Sequence, residues 1–164
     1  MHTLILMSKS EYRDNMEKIV IDAADKYERA CYISFNDPYH IVVKMLENVR
    51  VDQEKFIIID ASGNMEEHQD IGKITHVMPV KDLFKVYLFL RNLIKDEGIQ
   101  LILLDSISAL IYKYRELPLK QMLTDLLLEV GTFRCDSSLV VFNEHANHEV
   151  VSHLGPFIGK SIVL

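Results

Sequence analysis

Apolar residues in this sequence occur in short continuous runs that alternate with longer stretches of helical periodicity. Short apolar runs that end at polar or turn residues are typical of strands buried on both faces of a sheet. Between these runs, apolar side chains recur every three or four positions, as on the buried face of an amphipathic helix. The pattern predicts strands at residues 3–7, 30–35, 56–60, 74–78, 101–105, 138–142 and 158–164.

The helical stretches lie between the predicted strands. Pro38 suits the first turn of one helix, and Gly98 suits the residue just after the end of another. A polar loop is expected at 65–72, and one or two helical turns are expected within the polar segment 143–153. The pattern predicts helices at residues 11–27, 38–49, 81–95 and 117–131, with a partly helical segment at 106–114.

Strands that alternate with helices predict an α/β fold, here a three-layer αβα sandwich around a mostly parallel sheet. The 164 residues are enough for a single domain, 1–164, and no linker or internal repeat divides them. In such folds, ligands bind at the carboxyl ends of the parallel strands. Functional residues are therefore expected in the segments that directly follow the predicted strands.

Composition and charge argue against several classes of protein. No apolar run approaches the roughly 18 residues that a membrane-spanning helix needs, so no association with a membrane is expected. The net charge is −6 and no cluster of Lys and Arg is present, which argues against nucleic-acid binding. Cys31 and Cys135 lie in or beside apolar runs and form no CxxC motif. We expect them to be buried, reduced thiols of a cytoplasmic protein.

Two of the predicted strands end in aspartate, at Asp60 and Asp105. In the second, Leu-Ile-Leu-Leu precedes the aspartate, which is the form of a Walker B strand. A Walker B carboxylate organises Mg²⁺ at the phosphates of a nucleotide. Many parallel strands also end in aspartate because its carboxylate caps the following turn. The residues alone are compatible with either role for Asp105.

Three segments together resemble KaiC-like members of the RecA superfamily, which are mostly archaeal ATPase-type domains. They are Asp-Ser-Ile-Ser-Ala-Leu from Asp105, Ile-Ile-Ile-Asp-Ala-Ser around Asp60, and residues 31–39. The resemblance covers nearly the whole chain, from about residue 4 to residue 164. It implies a RecA-like P-loop NTPase topology and, in active relatives, ATP bound between subunits. Asp37 matches one of the paired acidic residues that follow the second strand in active relatives, whereas Asn36 departs from that pair.

The turn after the first strand departs from the family pattern. An active relative needs G-x-x-x-x-G-K-[ST] here, because the N–H groups of a glycine-rich loop cradle the phosphates. This chain reads Met-Ser-Lys-Ser-Glu from Met7, and the first of its six glycines is Gly63. Glu11 would also repel a phosphate. We therefore expect no cofactor, with Mg-ATP as the alternative. Residues left for a vestigial nucleotide site are Lys9, Ser10, Asp37, Asp105 and Ser106.

Candidate metal ligands follow the strand at 138–142. On a helix, His145 and His148 would share one face, with Glu149 and, roughly, His153 on the same face. Imidazole and carboxylate groups at such spacing are the ligands that zinc prefers. The alternative is a solvated loop followed by a short helix.

The sequence therefore favours a catalytically inactive KaiC/RecA-like domain that acts as a regulatory, scaffold or protein-interaction module. We expect no catalytic residue, and we expect a homo-oligomer or a related RecA-like partner. Two other functions stay open: a nucleotide-binding protein or weak ATPase with a non-standard phosphate site, and a metal site at His145 and His148.

Overall fold

The protein is represented by a computed structural model that describes residues 1–63, 69–71, 75–77 and 83–164. Strands and helices alternate along the chain, as the hydrophobic pattern predicts. The strands are β1 (His2–Met7), β2 (Ala30–Ser34), β3 (Phe56–Asp60), β4 (Gln69–Ile71), β5 (Thr75–Val77), β6 (Leu101–Asp105), β7 (Asp136–Phe142) and β8 (Lys160–Val163). The helices are α1 (Tyr12–Lys26), α2 (Tyr39–Asn48), α3 (Leu83–Glu97), α4 (Ile107–Lys113), α5 (Glu116–Thr132) and α6 (Glu149–Leu154).

The strands form one sheet in the order β4-β5-β3-β2-β6-β7-β1-β8. Neighbouring strands are parallel, except that β4 pairs antiparallel with β5. β6 therefore lies between β2 and β7, and β1 lies between β7 and β8. Because parallel strands end at the same edge of a sheet, this order brings the segments after β1, β2, β3, β6 and β7 to one side of the molecule.

Helices cover both faces of the sheet, and this explains the continuous apolar runs. α1 and α2 pack on one face, whereas α3 to α6 pack on the other. Successive side chains of a strand point to opposite faces, so each central strand serves two cores. In β6, Leu101 and Leu103 pack towards α1 and α2, while Ile102 and Leu104 pack towards α3 to α6. The predicted αβα sandwich with a mostly parallel sheet is confirmed.

The largest departure from the predicted elements lies between β3 and α3. The loop expected at 65–72 is wrong for residues 69–71, because pairing with β5 makes them the strand β4 although two of the three, Gln69 and Asp70, are polar. The rest of that loop lies outside the described residues. The strand predicted at 74–78 is confirmed for Thr75–Val77, and residues 74 and 78 also lie outside the described residues.

The ends of several elements follow from single residues. α3 ends at Glu97, and Gly98 has a φ of 63°, the left-handed conformation that terminates helices and that glycine adopts without steric cost.

Cys31 and Cys135 are both buried and both free, as predicted. Within the part of the chain that the structure describes, no helix has the length and apolarity needed to cross a membrane.

Candidate functional site

A buried carboxylate lies at the carboxyl end of β6. Asp105 has no exposed surface, and its Oδ2 accepts hydrogen bonds from the hydroxyls of Tyr12, at 2.5 Å, and of Tyr32. Its Oδ1 is buried as well and has no hydrogen-bond partner among the described residues. Two phenols therefore hold one oxygen of the carboxyl group, while the other oxygen is buried with no donor in the described part of the chain.

This environment changes the proton affinity of all three side chains. Burial raises the pKa of Asp105 to about 6, the charge of nearby Asp37 adds to the shift, and the two tyrosine hydrogen bonds oppose it. Burial, reinforced by the charge of Asp105, also raises the pKa of Tyr12 and of Tyr32. Both hydroxyls are therefore protonated at neutral pH and act as donors to the carboxylate.

Three separate elements bring these side chains together. Tyr12 is the first residue of α1, and its ring packs edge-on against Phe142 at the end of β7, with 5.6 Å between centroids. Tyr32 lies in the middle of β2 and pairs with Leu103 of β6, so both side chains point to the face that α1 covers. Asp105 thus links α1, β2 and β6 at the edge of the sheet where the sequence predicts function.

Asp37 lies beside this cluster. Its Oδ2 is 3.4 Å from the hydroxyl of Tyr12, which places Tyr12 between the carboxylates of Asp37 and Asp105. The backbone N–H of Asp37 donates to Oγ of Ser34 at 2.9 Å, and that hydroxyl donates to the Asp37 carbonyl at 2.6 Å. The structure therefore brings two of the predicted site residues together, with a tyrosine hydroxyl between them.

The turn between β1 and α1 is a single turn of 3₁₀ helix at Lys9–Glu11. Ser8 Oγ donates to Oε2 of Glu11 at 2.9 Å and lies 3.1 Å from Oγ of Ser10. A triphosphate requires a cradle of inward-pointing N–H groups without nearby negative charge. This turn instead places the Glu11 carboxylate directly before α1, and the Tyr12 side chain extends from it to Asp105. The residues present do not fit a Mg-triphosphate in the manner of a P-loop.

Lys9 points away from the Asp105 cluster. Its Nζ lies 2.5 Å from Oε1 of Glu144 and sits over the ring of Phe142, 5.5 Å from the centroid. The hydroxyl of Tyr112 donates to the same Glu144 oxygen at 3.0 Å. Lys9 is therefore part of a surface network with the segment that follows β7, and the structure does not bring it to Asp37 or Asp105.

The sequence is compatible with Asp105 as the cap of the following turn. This role is wrong for Asp105, because Ser106 caps α4 instead. Ser106 precedes α4, and its Oγ accepts a hydrogen bond from the N–H of Ala109 at 3.2 Å. The peptide bond between Asp105 and Ser106 is cis. Since Ser106 caps the helix, the Asp105 carboxyl group remains directed at the tyrosines.

Asp60, at the end of β3, does act as a cap. Its Oδ2 accepts a hydrogen bond from the N–H of Tyr39 at the start of α2, at 2.8 Å. Its Oδ1 accepts from the N–H and the hydroxyl of Ser62, at 3.0 and 2.7 Å. Nearby, Lys113 Nζ donates to the carbonyls of Phe35 and Ser62, at 3.0 and 3.1 Å, and burial lowers its pKa. This group of contacts fixes the turns after β2 and β3.

The two candidate metal ligands, His145 and His148, lie near each other but on different elements. His145 ends a 3₁₀ turn at Asn143–His145, and its ring packs edge-on against Tyr112 at 4.8 Å between centroids. His148 caps α6, since its Nδ1 accepts from the N–H of Val150 at 3.2 Å. The two ring centroids are 6.1 Å apart.

The shared helix face expected for these histidines is wrong, because the chain is not one helix between 145 and 153. Glu149 accepts a hydrogen bond from Lys120 at 3.1 Å, and Nε2 of His153 lies 3.1 Å from Oγ1 of Thr124. Across the described ranges, no three His, Cys, Asp or Glu side chains converge as metal ligands would.

Sequence reasoning missed Tyr12 and Tyr32, which are the residues that define the Asp105 cluster. The sequence does contain a signal for Tyr32, because a tyrosine inside a fully buried strand needs a hydrogen-bond partner for its hydroxyl. The carboxylate at the end of the neighbouring strand is such a partner. Tyr12 carries a weaker signal, because a tyrosine in the first turn of a helix is equally compatible with a solvent-exposed hydroxyl.

Comparison with solved structures confirms the fold. The chain superposes on the KaiC-like protein PH0186 from the hyperthermophilic archaeon Pyrococcus horikoshii OT3 with a TM-score of 0.71, over 99% of this chain and 70% of that one. The two sequences are 11% identical over this alignment, so the similarity concerns the RecA-like fold alone. No protein-family model matches the sequence, and no curated protein matches it either.

Proposed function

We propose that this chain is a KaiC/RecA-like domain without ATPase activity, which acts as a regulatory, scaffold or protein-interaction module. The observation that carries the proposal is the 2.5 Å hydrogen bond from Tyr12 to Asp105. In the family that the sequence resembles, a carboxylate at this strand end organises Mg²⁺ at the nucleotide phosphates. Here the side chain of Tyr12 lies against that carboxylate, in the space between the first turn and β6.

Other features of the same edge support the proposal. The turn at Lys9–Glu11 contains no glycine and carries the Glu11 carboxylate next to the start of α1. Asp37, which matches one of the paired acidic residues of active relatives, has the Tyr12 hydroxyl 3.4 Å from its Oδ2. Catalysis of phosphoryl transfer depends on positioning and on positive charge at the phosphates. The one lysine of the turn, Lys9, is paired with Glu144.

A role in interaction fits the surface of the domain better than a role in catalysis. Several large apolar side chains are exposed on α3 and α5, including Leu117 at 77%, Phe84 at 65% and Leu128 at 55%. The helices α3 and α5 pack against each other, and exposed apolar groups on neighbouring helices contribute to surfaces that other proteins bind. We expect the partner to be a second copy of the chain or a related RecA-like protein.

The proposal is tested by thermal unfolding and by phosphate release in the presence of Mg-ATP. We expect no upward shift of the melting temperature with millimolar Mg-ATP and no release of phosphate above the rate without protein. The matched variant is Asp105→Asn, which keeps the shape of the side chain and removes its charge. Phosphate release by the wild-type protein that Asp105→Asn abolishes would contradict the proposal and favour a weak ATPase with a non-standard site.

The metal alternative rests on the proximity of His145 and His148 and needs a separate measurement. Elemental analysis of protein purified without chelators gives the metal content directly. A content near one zinc per chain that falls in the double variant His145→Ala/His148→Ala would favour a metal site there.

A further inference from the structure

β8 forms one edge of the sheet and pairs on one side only, with β1. The N–H of Leu164 donates to the carbonyl of Leu6 in β1, at 2.8 Å. Because N–H groups alternate in direction along a strand, the N–H of Val163 points away from β1, and so does that of Ser161. Within the described residues these outward groups have no strand beside them. They are a row of donors and acceptors that an added strand can pair with.

The strand is four residues long, and beyond this shortness it carries few of the features by which proteins usually protect an edge. It contains no proline, and its single charged residue, Lys160, is at the start. Val163 is 72% exposed and Leu164 is 42% exposed, although both are apolar. An edge strand with β-branched, apolar side chains and open hydrogen-bonding groups is a binding surface for an extended polypeptide.

An open groove of about 260 Å³ runs along this edge on the face that α1 covers. Ile162 and Leu164 of the β8 edge form one wall, Ile5 of β1 and Leu101 of β6 form part of the floor, and Ile19 of α1 forms the opposite side. In an added strand, every second side chain would point into this groove. The groove therefore supplies the side-chain selectivity that backbone pairing alone lacks.

The rim of the groove is positive, although the whole protein is acidic. Lys18 and Lys26 of α1 and Lys160 of β8 line it, against a single carboxylate, Asp22. Asp22 pairs with Lys26 at 2.7 Å, and Lys18 lies 3.4 Å from the Asn15 side-chain oxygen. The net charge of the protein is −6, so the charge of this rim is opposite in sign to the net charge of the whole protein. A second copy of β8 would bring like charge to the rim, whereas an acidic segment would complement it.

We propose that β8 binds an extended, acidic segment of a partner protein, which adds to the sheet as a strand and places acidic side chains in the groove between β8 and α1. Main-chain hydrogen bonds to Ser161 and Val163 provide the affinity. The lysines provide the preference for acidic over basic side chains. This site is separate from the Asp105 cluster and does not depend on the proposal that the domain lacks ATPase activity.

The probe for this site is a fluorescein-labelled peptide of eight residues that alternates glutamate with valine. Fluorescence anisotropy at low salt is expected to show saturable binding to the wild-type protein. The same peptide with lysine in place of glutamate is expected to bind at least about tenfold more weakly, because it repels the rim. Equal binding of the two peptides, or no saturable binding of the acidic one, would overturn the proposal.

Two variants separate backbone pairing from charge. Val163→Pro removes one outward N–H and is expected to weaken binding about tenfold, whereas Val163→Thr keeps the N–H and is expected to bind like wild type. Lys160→Glu reverses one rim charge at an exposed position and is expected to weaken binding of the acidic peptide by a similar factor. If thermal unfolding shows that Val163→Pro does not fold, the affinity of the Lys160→Glu variant still tests the proposal. Unchanged affinity in Lys160→Glu contradicts the proposal.

The oligomeric state distinguishes a partner strand from a second copy of this chain. Light scattering coupled to size exclusion is expected to give the same mass for wild type and Val163→Pro without peptide. A wild-type dimer that Val163→Pro converts to a monomer would mean that β8 pairs with itself, and the proposal would fall.

Discussion

Asp60 and Asp105 occupy the same position in two strands of similar sequence, but their carboxylates have different hydrogen-bond partners. β3 and β6 are both buried apolar strands that finish in aspartate, and both flank β2. Asp60 accepts hydrogen bonds on both oxygens, from backbone N–H groups and a serine hydroxyl. Asp105 accepts only from two tyrosine hydroxyls on one oxygen, and the other oxygen is buried without a partner among the described residues.

The difference arises from the residues that follow each aspartate. After Asp60, the chain turns so that Ser62 comes back to the carboxylate. After Asp105, Ser106 satisfies the start of the next helix by itself. An aspartate at a strand end thus caps the following turn when no other residue does so. When the next residue provides the cap, the aspartate is available for other contacts. Removing the Asp60 side chain should therefore have different consequences for stability from removing the Asp105 side chain.

The largest effect concerns the pH dependence of stability. Burial raises the pKa of Asp105 to about 6 in the folded protein, from about 3.8 for an unburied aspartate. The folded state thus holds this proton more tightly than the unfolded chain, so the contribution to stability is full below about pH 4 and is lost as the pH rises through about 6. The loss corresponds to about 3 kcal/mol of unfolding free energy.

Comparing wild type with Asp105→Asn by urea unfolding between pH 4 and pH 7.5 measures this loss. The variant cannot ionise at this position, so its stability relative to wild type should rise with pH over that interval. Parallel stability profiles for the two proteins would show that the carboxyl group of Asp105 has the same proton affinity in the folded and unfolded states.

A somewhat smaller effect is expected for Tyr32→Phe. This change removes a donor to the Asp105 carboxylate within a fully buried site and should cost about 2 kcal/mol at pH 7.5. Tyr27→Phe is the matched control, because the Tyr27 hydroxyl donates to Asp136, at 2.7 Å, in a partly exposed place. Urea unfolding of both variants should show the larger loss for Tyr32→Phe. Equal losses would mean that the phenol contributes no more at Asp105 than at the surface.

Asp60→Ala tests the other half of the comparison. The N–H groups of Tyr39 and Ser62 lose their acceptor, which should cost about 1–2 kcal/mol in unfolding free energy. Asp52→Ala removes a cap at an exposed 3₁₀ turn, where Oδ1 accepts from the N–H of Glu54, and serves as the control. A loss for Asp60→Ala no larger than that for Asp52→Ala would contradict the structural role of Asp60.

The smallest effect is expected for Lys9→Ala. Lys9 pairs with Glu144 at the surface, where an ion pair contributes little because water screens it. Thermal unfolding should therefore show a melting temperature close to that of wild type, and 0.5 M NaCl should leave the difference unchanged or smaller. A destabilisation comparable to that of Tyr32→Phe would mean that the Lys9 side chain contributes to the Asp105 cluster after all.

The fold was more accessible from sequence than the site was. Apolar runs such as Leu101–Asp105 identify buried strands because burial on both faces leaves no polar position. β4 escaped detection because a segment with two polar residues and one apolar residue, Gln69–Ile71, becomes a strand only through pairing with β5. Asp105 was identified as a candidate, but its surroundings depend on Tyr12 and Tyr32, which are far away in sequence. Local patterns cannot report such contacts, since the topology of the sheet creates them.

The proposal that the domain lacks ATPase activity rests on the hydrogen bond from Tyr12 to the Asp105 carboxylate. Isothermal titration calorimetry of Mg-ATP into the wild-type protein and into Asp105→Asn tests it most directly, because Asp105→Asn keeps the shape of the side chain and removes its charge. The account predicts no saturable heat for either protein at millimolar nucleotide. Saturable binding to the wild-type protein that Asp105→Asn eliminates would contradict it.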